Sequence, residues 1–222
     1  MKLSELSRAT GVGITTLKHW LREGILPGGR LRNQTTAEYE QRHVDRVLLI
    51  RTMREDYNAS IAAIRTLTSL IDDAASTTLD VMRACQAFVI GAPEDVATNP
   101  AYEPYRQRTH ELMRIRDWHA YPSAAEQGLA YALAQAAAVG LDYSVEQLME
   151  YADALEPLAH RHIAALGPDG SADVVARRML IAVRARAQQL LAISHLAHAA
   201  MSVRAAIERG DAPPSTAAPP PR

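Results

Sequence analysis

The feature that most constrains this chain is a pair of short helical patterns near its start, in which only Val12 and Gly13 separate the glycine that ends the first pattern from the beginning of the second. We predict helices over about 3–10 and 14–23, followed by Gly11 and Gly24 respectively. Glycine suits the left-handed backbone position that often follows a helix. A connection this short between two helices is typical of a helix-turn-helix. The start of the chain therefore predicts a small helical module that presents its second helix.

The second predicted helix has two unlike faces at helical spacing. The apolar stripe consists of Ile14, Leu17, Leu21 and Ile25. The opposite face carries Thr15, Thr16, His19 and Arg22, with Lys18 and Trp20 at the borders of the stripe. One face is expected to pack against the protein, and the other is free to contact a partner.

Turn-forming residues interrupt the helical pattern after this pair. The run LPGGRLRNQTTAEYE is rich in Pro, Gly, Asn and Thr, which favours turns around short extended pieces. We predict a small hairpin, or wing, over about 29–39. Helices follow over about 40–55 and 60–72, the second with Ser60 as its N-cap. Its predicted buried row is Ile61, Ile64, Thr68 and Ile71.

The rest of the chain also has helical period, so the predicted fold class is all-α with a small β wing. We predict five further helices. The first covers about 76–90, the second ends at about residue 118, the third covers about 122–139, the fourth begins at Ser144, and the fifth covers about 171–208 and is followed by Gly210. Ser144 and Gln147 form a capping box, and Pro157 is expected to kink or divide its helix. Breakers between Gly91 and Pro104 interrupt the pattern. The Pro/Ala-rich residues from about 211 are expected to be disordered.

The charge is distributed unevenly along the chain. Residues 1–54 contain ten basic and five acidic residues, a net +5, while 55–222 contain 14 basic and 20 acidic residues, a net −6. A basic head on an acidic body is the electrostatic pattern of a polyanion-binding module, although a solvated charged face is the alternative. The predicted domains are 1–72 (DNA-binding), 73–210 (effector or dimerisation) and 211–222 (tail).

The composition also limits the cell compartment. A single cysteine, Cys85, excludes an internal disulfide framework. We see no secretory signal and no run of about 18 apolar residues, so a cytoplasmic protein without membrane contact is expected.

Residues 1–72 resemble the winged-helix head of the MerR family of bacterial transcription regulators. The resemblance rests on LSELSRATGVGITTLKHWLREGILP, on Tyr39, on QRHVDRV and on YNASIAAIRTL. It implies sequence-specific, homodimeric binding to a pseudo-palindromic promoter site, where RNA polymerase is a possible partner. The DNA-binding residues that it implies are Thr15, Thr16, Lys18, His19, Trp20, Arg22, Arg30, Arg32, Asn33, Tyr39, Arg42 and His43. Their donors and methyl groups suit phosphates and base edges, while core packing remains the alternative for Trp20.

The sequence departs from the family pattern at three places. His19 and Trp20 stand where family members commonly have two tyrosines. The usual glycine-tyrosine-arginine of the wing is replaced by residues 35–37, so a phosphate contact there falls to the wing residues Arg30, Arg32 or Asn33. The long dimer helix that the family usually has after the head is cut short by the breakers at 91–104. The helix over 171–208 is then the best candidate for a two-fold interface.

The helical body suggests a regulatory region more than an enzyme. We find no phosphate loop, nucleophile elbow or paired carboxylates, so no catalytic activity and no cofactor are predicted. A metal site is not predicted either, because Cys85 is alone and the pairs His160/His162 and His195/His198 lack further ligands. A small organic effector is the more plausible ligand, with Trp118, His119, Tyr121, Tyr131 and Tyr151 as the candidate pocket. The alternative is that these aromatic side chains fill the core of a helical bundle or a dimer seam.

Two open alternatives concern the function. The head could instead belong to an interaction or scaffold module that binds some other polyanion without an effector. If the protein is a regulator, it could distort promoter DNA under the control of an effector, or it could repress by occupancy alone.

Overall fold

A computed structural model describes residues 1–31, 37–118, 124–164 and 170–211. The helices within them are α1 (Leu3–Thr10), α2 (Ile14–Arg22), α3 (Gln41–Tyr57), α4 (Ile61–Asp72), α5 (Thr78–Ile90), α6 (Glu103–Ile115), α7 (Ala124–Ala138), α8 (Val145–Ala164) and α9 (Ala172–Glu208). The strands are β1 (Arg30–Leu31) and β2 (Ala37–Glu38), and two 3₁₀ turns cover Glu94–Ala97 and Pro100–Tyr102. The predicted all-α class with a small β wing is confirmed.

The turn between α1 and α2 is closed by local hydrogen bonds. Gly11 adopts a φ of 70°, and its N–H donates to the carbonyl of Ser7. The Ser7 hydroxyl donates to the carbonyl of Val12 over 2.7 Å. Leu6 and Leu17, one from each helix, are fully buried. The helix-turn-helix is thus built where the short connection predicted it, with residues 11–13 between the two helices.

The wing is a two-stranded antiparallel hairpin in which Arg30 pairs with Glu38 and Leu31 with Ala37. Gly29 precedes it at a position without room for a side chain, because a Cβ there would lie 2.7 Å from the carbonyl oxygen of Glu38. The predicted hairpin is present at its base, and its tip, 32–36, lies outside the described residues.

Helices α3 and α4 complete the core of the head. Val47, Leu49, Ile50 and Met53 of α3 are fully buried. Ser60 caps α4 as predicted, since its hydroxyl accepts from the N–H of Ala63 over 3.1 Å. The buried row of α4 is Ile64, Leu67 and Thr68, so the expected burial of Ile61 and Ile71 is wrong.

Helices α5 to α8 pack as a bundle. The predicted break after α5 is confirmed, because the helix ends at Gly91 with a φ of 60°. Gly128 of α7 approaches α5 closely, and a Cβ there would lie 2.6 Å from Cγ2 of Ile90. The buried cluster of α6, α7 and α8 consists of Leu112, Leu133, Leu148 and Ala152.

Two details of the bundle test the predictions further. The Ser144 capping box is present, with the Gln147 side chain accepting from the Ser144 N–H over 2.9 Å. Helix α8 continues through Pro157, so the proline does not divide it. A proline removes one backbone hydrogen bond, which the remaining bonds of a 20-residue helix can tolerate in a packed bundle. Helix α6 ends at Ile115, slightly before the predicted end near Trp118.

The chain divides into two compact units at Ile181 and Ala182, within α9. In the first unit, Asp173, Ala176, Met179 and Leu180 of α9 are buried. Beyond Ile181, most α9 side chains are exposed, including Leu196 at 72%. Of the helices described, α9 is long and apolar enough to cross a membrane by length and composition alone, a property that core helices of soluble proteins share.

Candidate nucleic-acid interface

Helix α2 presents a polar face, and buried side chains on its opposite face hold the helix in place. Leu17 and Trp20 point into the core and hold its underside. The predicted contact residues that lie exposed on the helix are Thr15, Thr16, Lys18, His19 and Arg22. A shallow depression between them is lined by Thr15, Lys18, Leu21 and Arg22. Two threonine hydroxyls and two long cations on one ridge can donate to phosphate oxygens or to guanine O6 and N7.

The prediction that Trp20 faces DNA is wrong. Trp20 is only 5% exposed, so its indole packs in the core beneath α2. Its carbonyl accepts the N–H groups of Ile25 and Leu26, both over 3.2 Å, where the chain leaves the helix. Ile14 is wrong in the opposite sense, because it was expected to pack and is 41% exposed. The packed stripe is therefore rotated toward Trp20.

The end of α2 is held by a carboxylate that also faces the predicted contact surface. Glu23 lies 3.9 Å from the His19 imidazole. Its side chain and its carbonyl each accept a hydrogen bond of 3.0 Å from Arg65 of α4. The contact between Arg65 and Glu23 was not predicted from the sequence, because residues 42 positions apart leave no local pattern.

The wing supplies one described cation. Arg30 is exposed, and its guanidinium lies 3.8 Å from the carboxylate of Glu38 on the paired strand. An exposed pair at this distance is weak and leaves the guanidinium free to exchange Glu38 for a phosphate. Arg32 and Asn33, the other predicted wing contacts, lie outside the described residues.

Tyr39 and His43 support the base of the wing from within, so their prediction as DNA contacts is wrong. Tyr39 is 6% exposed and His43 is fully buried, with their rings edge to face at 5.2 Å. The Nδ1 of His43 accepts from the N–H of Glu40 over 2.9 Å. Its Nε2 is then the protonated nitrogen and faces the carbonyl of Gly28 at 3.4 Å. Burial raises the pKa of Tyr39.

Arg42, in contrast, lies exposed at the start of α3. Its guanidinium is 3.4 Å from the carboxylate of Glu40, another exposed residue. Between the buried Tyr39 and His43, the three residues 40–42 are all exposed. Among the predicted contact residues that the structure describes, the exposed lysine and arginine side chains are Lys18, Arg22, Arg30 and Arg42.

A buried arginine that the sequence analysis did not single out lies behind this surface. Arg46 of α3 is 2% exposed and binds the carboxylates of Asp72 and Asp173. Burial alone lowers the pKa of Arg46, but its hydrogen bonds to the two carboxylates outweigh this and raise it. Burial raises the pKa of Asp173, an effect that Arg46 partly offsets. A charged residue within the apolar row of α3 was the available signal for this site.

The candidate effector residues are distributed over separate contacts. Trp118 is 38% exposed, and its indole N–H donates to Glu156 of α8 over 3.4 Å. Tyr131 pairs with Tyr102 at 6.1 Å between ring centres, whereas the exposed Tyr151 pairs with Tyr143 at 6.3 Å. His119 and Tyr121 lie outside the described residues. The effector pocket stays a prediction.

The described residues offer little metal or thiol chemistry. Within them, no group of three or more His, Cys, Asp or Glu side chains is arranged to hold a metal ion. Cys85 is buried, and desolvation raises the pKa of its thiol to about 12. A thiol with that pKa is protonated at neutral pH and is therefore a poor nucleophile.

Comparison with known proteins agrees with the geometry of the head. Residues 1–70 match the family model described as MerR HTH family regulatory protein. The head is a MerR-type helix-turn-helix domain. This confirms the resemblance for that segment and indicates a DNA-binding regulatory protein more than an enzyme. A comparison with curated proteins found no match.

The fold of the MerR-type head and the helical region together is similar to that of a solved protein. This is SCO5550 from Streptomyces coelicolor A3(2), which is described as a transcriptional regulator. The two share 20% sequence identity with a TM-score of 0.63, over 97% of this chain and 100% of the other. At that identity the likeness establishes the fold alone.

Proposed function

We propose that this protein is a cytoplasmic, sequence-specific transcriptional regulator that binds promoter DNA through α2 and the wing. The observation that carries this proposal is the polar ridge of α2 within a MerR-type head. Lys18 and Arg22 stand exposed on that ridge while Leu17 and Trp20 anchor its underside. Such a rigid ridge meets the requirement of major-groove recognition, in which a fixed helix presents its donors to base edges.

The binding unit in this proposal is a homodimer on a pseudo-palindromic site. A C2 dimer matches two half-sites related by a two-fold axis. Helix α9 beyond Ile181 supplies a suitable surface, because it exposes more large apolar side chains than an isolated helix tolerates in water. These include Leu190, Leu191, Ile193, Leu196, Met201 and Val203, each between 41% and 72% exposed.

Regulation in this proposal involves a small organic ligand and RNA polymerase. The bundle of α5 to α8 is the natural place for a ligand, because such bundles hold ligands between facing helices. The protein would act on its promoter in one of two alternative ways, by distorting the DNA or by repressing through occupancy of the site. Transcription in vitro with a cognate promoter separates them: repression alone, without hypersensitive bands in a footprint, excludes distortion.

The first experiment is footprinting and titration on the DNA upstream of the protein's own gene. The variants Lys18→Ala and Arg22→Ala are compared with Arg114→Ala, which removes an exposed cation of α6. We expect each α2 variant to lose about 1–3 kcal/mol of binding free energy if the side chain touches a base. We expect the Arg114 variant to bind as the wild type does.

Three results would contradict the proposal in different ways. Equal affinity of both α2 variants and the wild type for the cognate site would exclude α2 as the recognition helix. Equal affinity of the wild type for cognate and unrelated DNA at every salt concentration would favour a polyanion-binding scaffold module. Binding of the cognate site by a monomer would exclude the dimer.

The dimer has its own test in the full chain. Leu196→Lys places a charge on the most exposed leucine of α9, and Leu79→Lys does the same on α5, where the leucine is 51% exposed. We expect sedimentation to show a weakened dimer for the first variant and an unchanged dimer for the second. A dimer that is equally stable in both would place the interface away from this side of α9.

A further inference from the structure

The start of α9 lies alongside the central helix of the head. Four polar contacts join the two helices in the same order along both. The Ser171 hydroxyl donates to Asp45 over 3.1 Å, and Arg46 donates to Asp173 over 2.5 Å. Further on, Arg177 donates to the hydroxyl of Thr52 over 3.2 Å, and the Tyr57 hydroxyl donates to the carbonyl of Leu180 over 2.6 Å. The two helices therefore run parallel over this length.

Arg46 joins this segment to two other parts of the head. One guanidinium edge binds Asp72 at the end of α4, over 2.5 and 3.0 Å. Its Nη1 also lies 3.5 Å from the carbonyl oxygen of Ile25, in the chain that leaves α2. Three segments separated widely in the sequence thus share one buried cation.

A second route leads from α4 to the same end of α2. Asp72 ends α4, and Arg65, two turns earlier on that helix, bonds both the carbonyl and the carboxylate of Glu23. Displacing Asp173 would leave Arg46 with one carboxylate and would release the start of α9. A buried cation shifts toward its remaining partner. Loss of Asp173 would therefore change the contacts of Arg46 with both Asp72 and the carbonyl of Ile25.

We infer that Asp173 is a positioning residue for the recognition helix, acting through Arg46 on the segment 23–26 that ends α2. The inference rests on the proposed function for its DNA readout. It assigns the start of α9 to the DNA-binding machinery and identifies the route by which an event in the C-terminal region would change DNA affinity. Such coupling between distant sites typically amounts to a 5- to 150-fold change in affinity.

The test compares full-length Asp173→Asn with the wild type. The matched control is Asp142→Asn, which breaks another arginine pair, that of Arg108 with Asp142. Two measurements are needed: hydrogen exchange of the amides in 23–26 in the free protein, and cognate DNA affinity as a function of salt. We expect faster exchange and about tenfold weaker binding for Asp173→Asn, and neither effect for the control.

The salt dependence distinguishes positioning from direct contact. Asp173→Asn removes no phosphate contact, so the slope of log K against log salt should match that of the wild type. Loss of a contacting cation such as Lys18 should instead reduce the slope by about one.

A lower melting temperature with unchanged exchange in 23–26 and unchanged affinity would show that Asp173 is merely structural and would overturn the inference. If Asp173→Asn does not fold, Asp173→Glu keeps the charge but displaces the carboxylate relative to Arg46, and unchanged exchange in 23–26 in that variant overturns the inference equally. If the wild type binds no DNA specifically, the proposed function fails, and the exchange measurement still decides whether Asp173 positions α2.

Discussion

Trp20 provides the sharpest test of how the head is built, because its two roles predict opposite results. The side chain is 5% exposed. A buried tryptophan removes about 150–250 Å² from water, which corresponds to about 4–6 kcal/mol as an upper bound at 25 cal/mol per Å². Trp20→Ala should therefore lower the free energy of unfolding by about 3–5 kcal/mol, the usual range for such truncations.

The milder change Trp20→Phe separates packing from recognition. It removes the indole N–H but keeps most of the buried ring, so we expect a loss of about 1–2 kcal/mol in stability. Affinity for cognate DNA should remain within about twofold of the wild type, since a buried indole donates to no base. Urea unfolding gives the first quantity and a DNA titration the second.

Fluorescence provides an independent readout of the same residue. The chain has two tryptophans, so Trp118→Phe leaves Trp20 as the only indole. Its emission should be blue-shifted and insensitive to iodide, with no quenching when DNA is added. Iodide quenching of Trp20, or a large loss of DNA affinity in Trp20→Phe at full stability, would refute its assignment to the core.

Two further predictions concern the helical body. Cys85 should react with iodoacetamide at pH 8 roughly 1,000-fold more slowly in the native protein than in urea, because its pKa of about 12 lies some three units above that of a free thiol. From about pH 9 the thiol ionises in the unfolded chain but not in the native protein. The free energy of unfolding should therefore fall as the pH rises from 9 toward 12. Cys85→Ala should remove this part of the pH dependence. Gly128→Ala should lower the melting temperature by forcing Cβ onto Ile90, and the same change in an Ile90→Ala background should be neutral or stabilising. Equal effects in both backgrounds would contradict the contact.

The sequence predicted the head well wherever local chemistry determines the structure. Helices α1 and α4 begin within one residue of their predicted starts, because a capping residue or a tight turn defines them. The left-handed Gly11 and the Ser60 cap need only their immediate neighbours. The hairpin base follows from the same turn chemistry.

The errors concern residues whose exposure depends on distant partners. Trp20, Tyr39 and His43 carry polar atoms and are among the predicted DNA contacts, yet all three are buried. A helical wheel assigns a border residue to neither face, and the decision for Trp20 comes from what packs below α2. His43 is buried because it satisfies the Glu40 N–H and faces the Gly28 carbonyl, 15 residues earlier.

Arg46 and Asp173 illustrate a limit of a different kind. They are separated by 127 residues, and neither carries a motif. Only the charged residue amid the apolar row of α3 hinted that a buried counterion was needed, and several acids of the body could have supplied it. Side-chain pairing over such a distance is set by the packing of α9 on α3.

The early end of α5 at Gly91 and the contacts of α9 with α3 both bear on where a dimer could form. In the family pattern that the head resembles, a long helix follows α4 and carries the dimer contacts. Here α5 ends after 13 residues at a left-handed glycine, so it is much shorter than that family helix. Among the described helices α9 is the longest, with 37 residues, and its first turns are bound to the head through Asp173 and Tyr57. If α9 forms the dimer, its first turns join the dimer to the head through the Arg46–Asp173 pair together with the buried side chains of Ala176, Met179 and Leu180. Because a buried ion pair is costly to desolvate, removing one partner would leave an uncompensated charge at this junction.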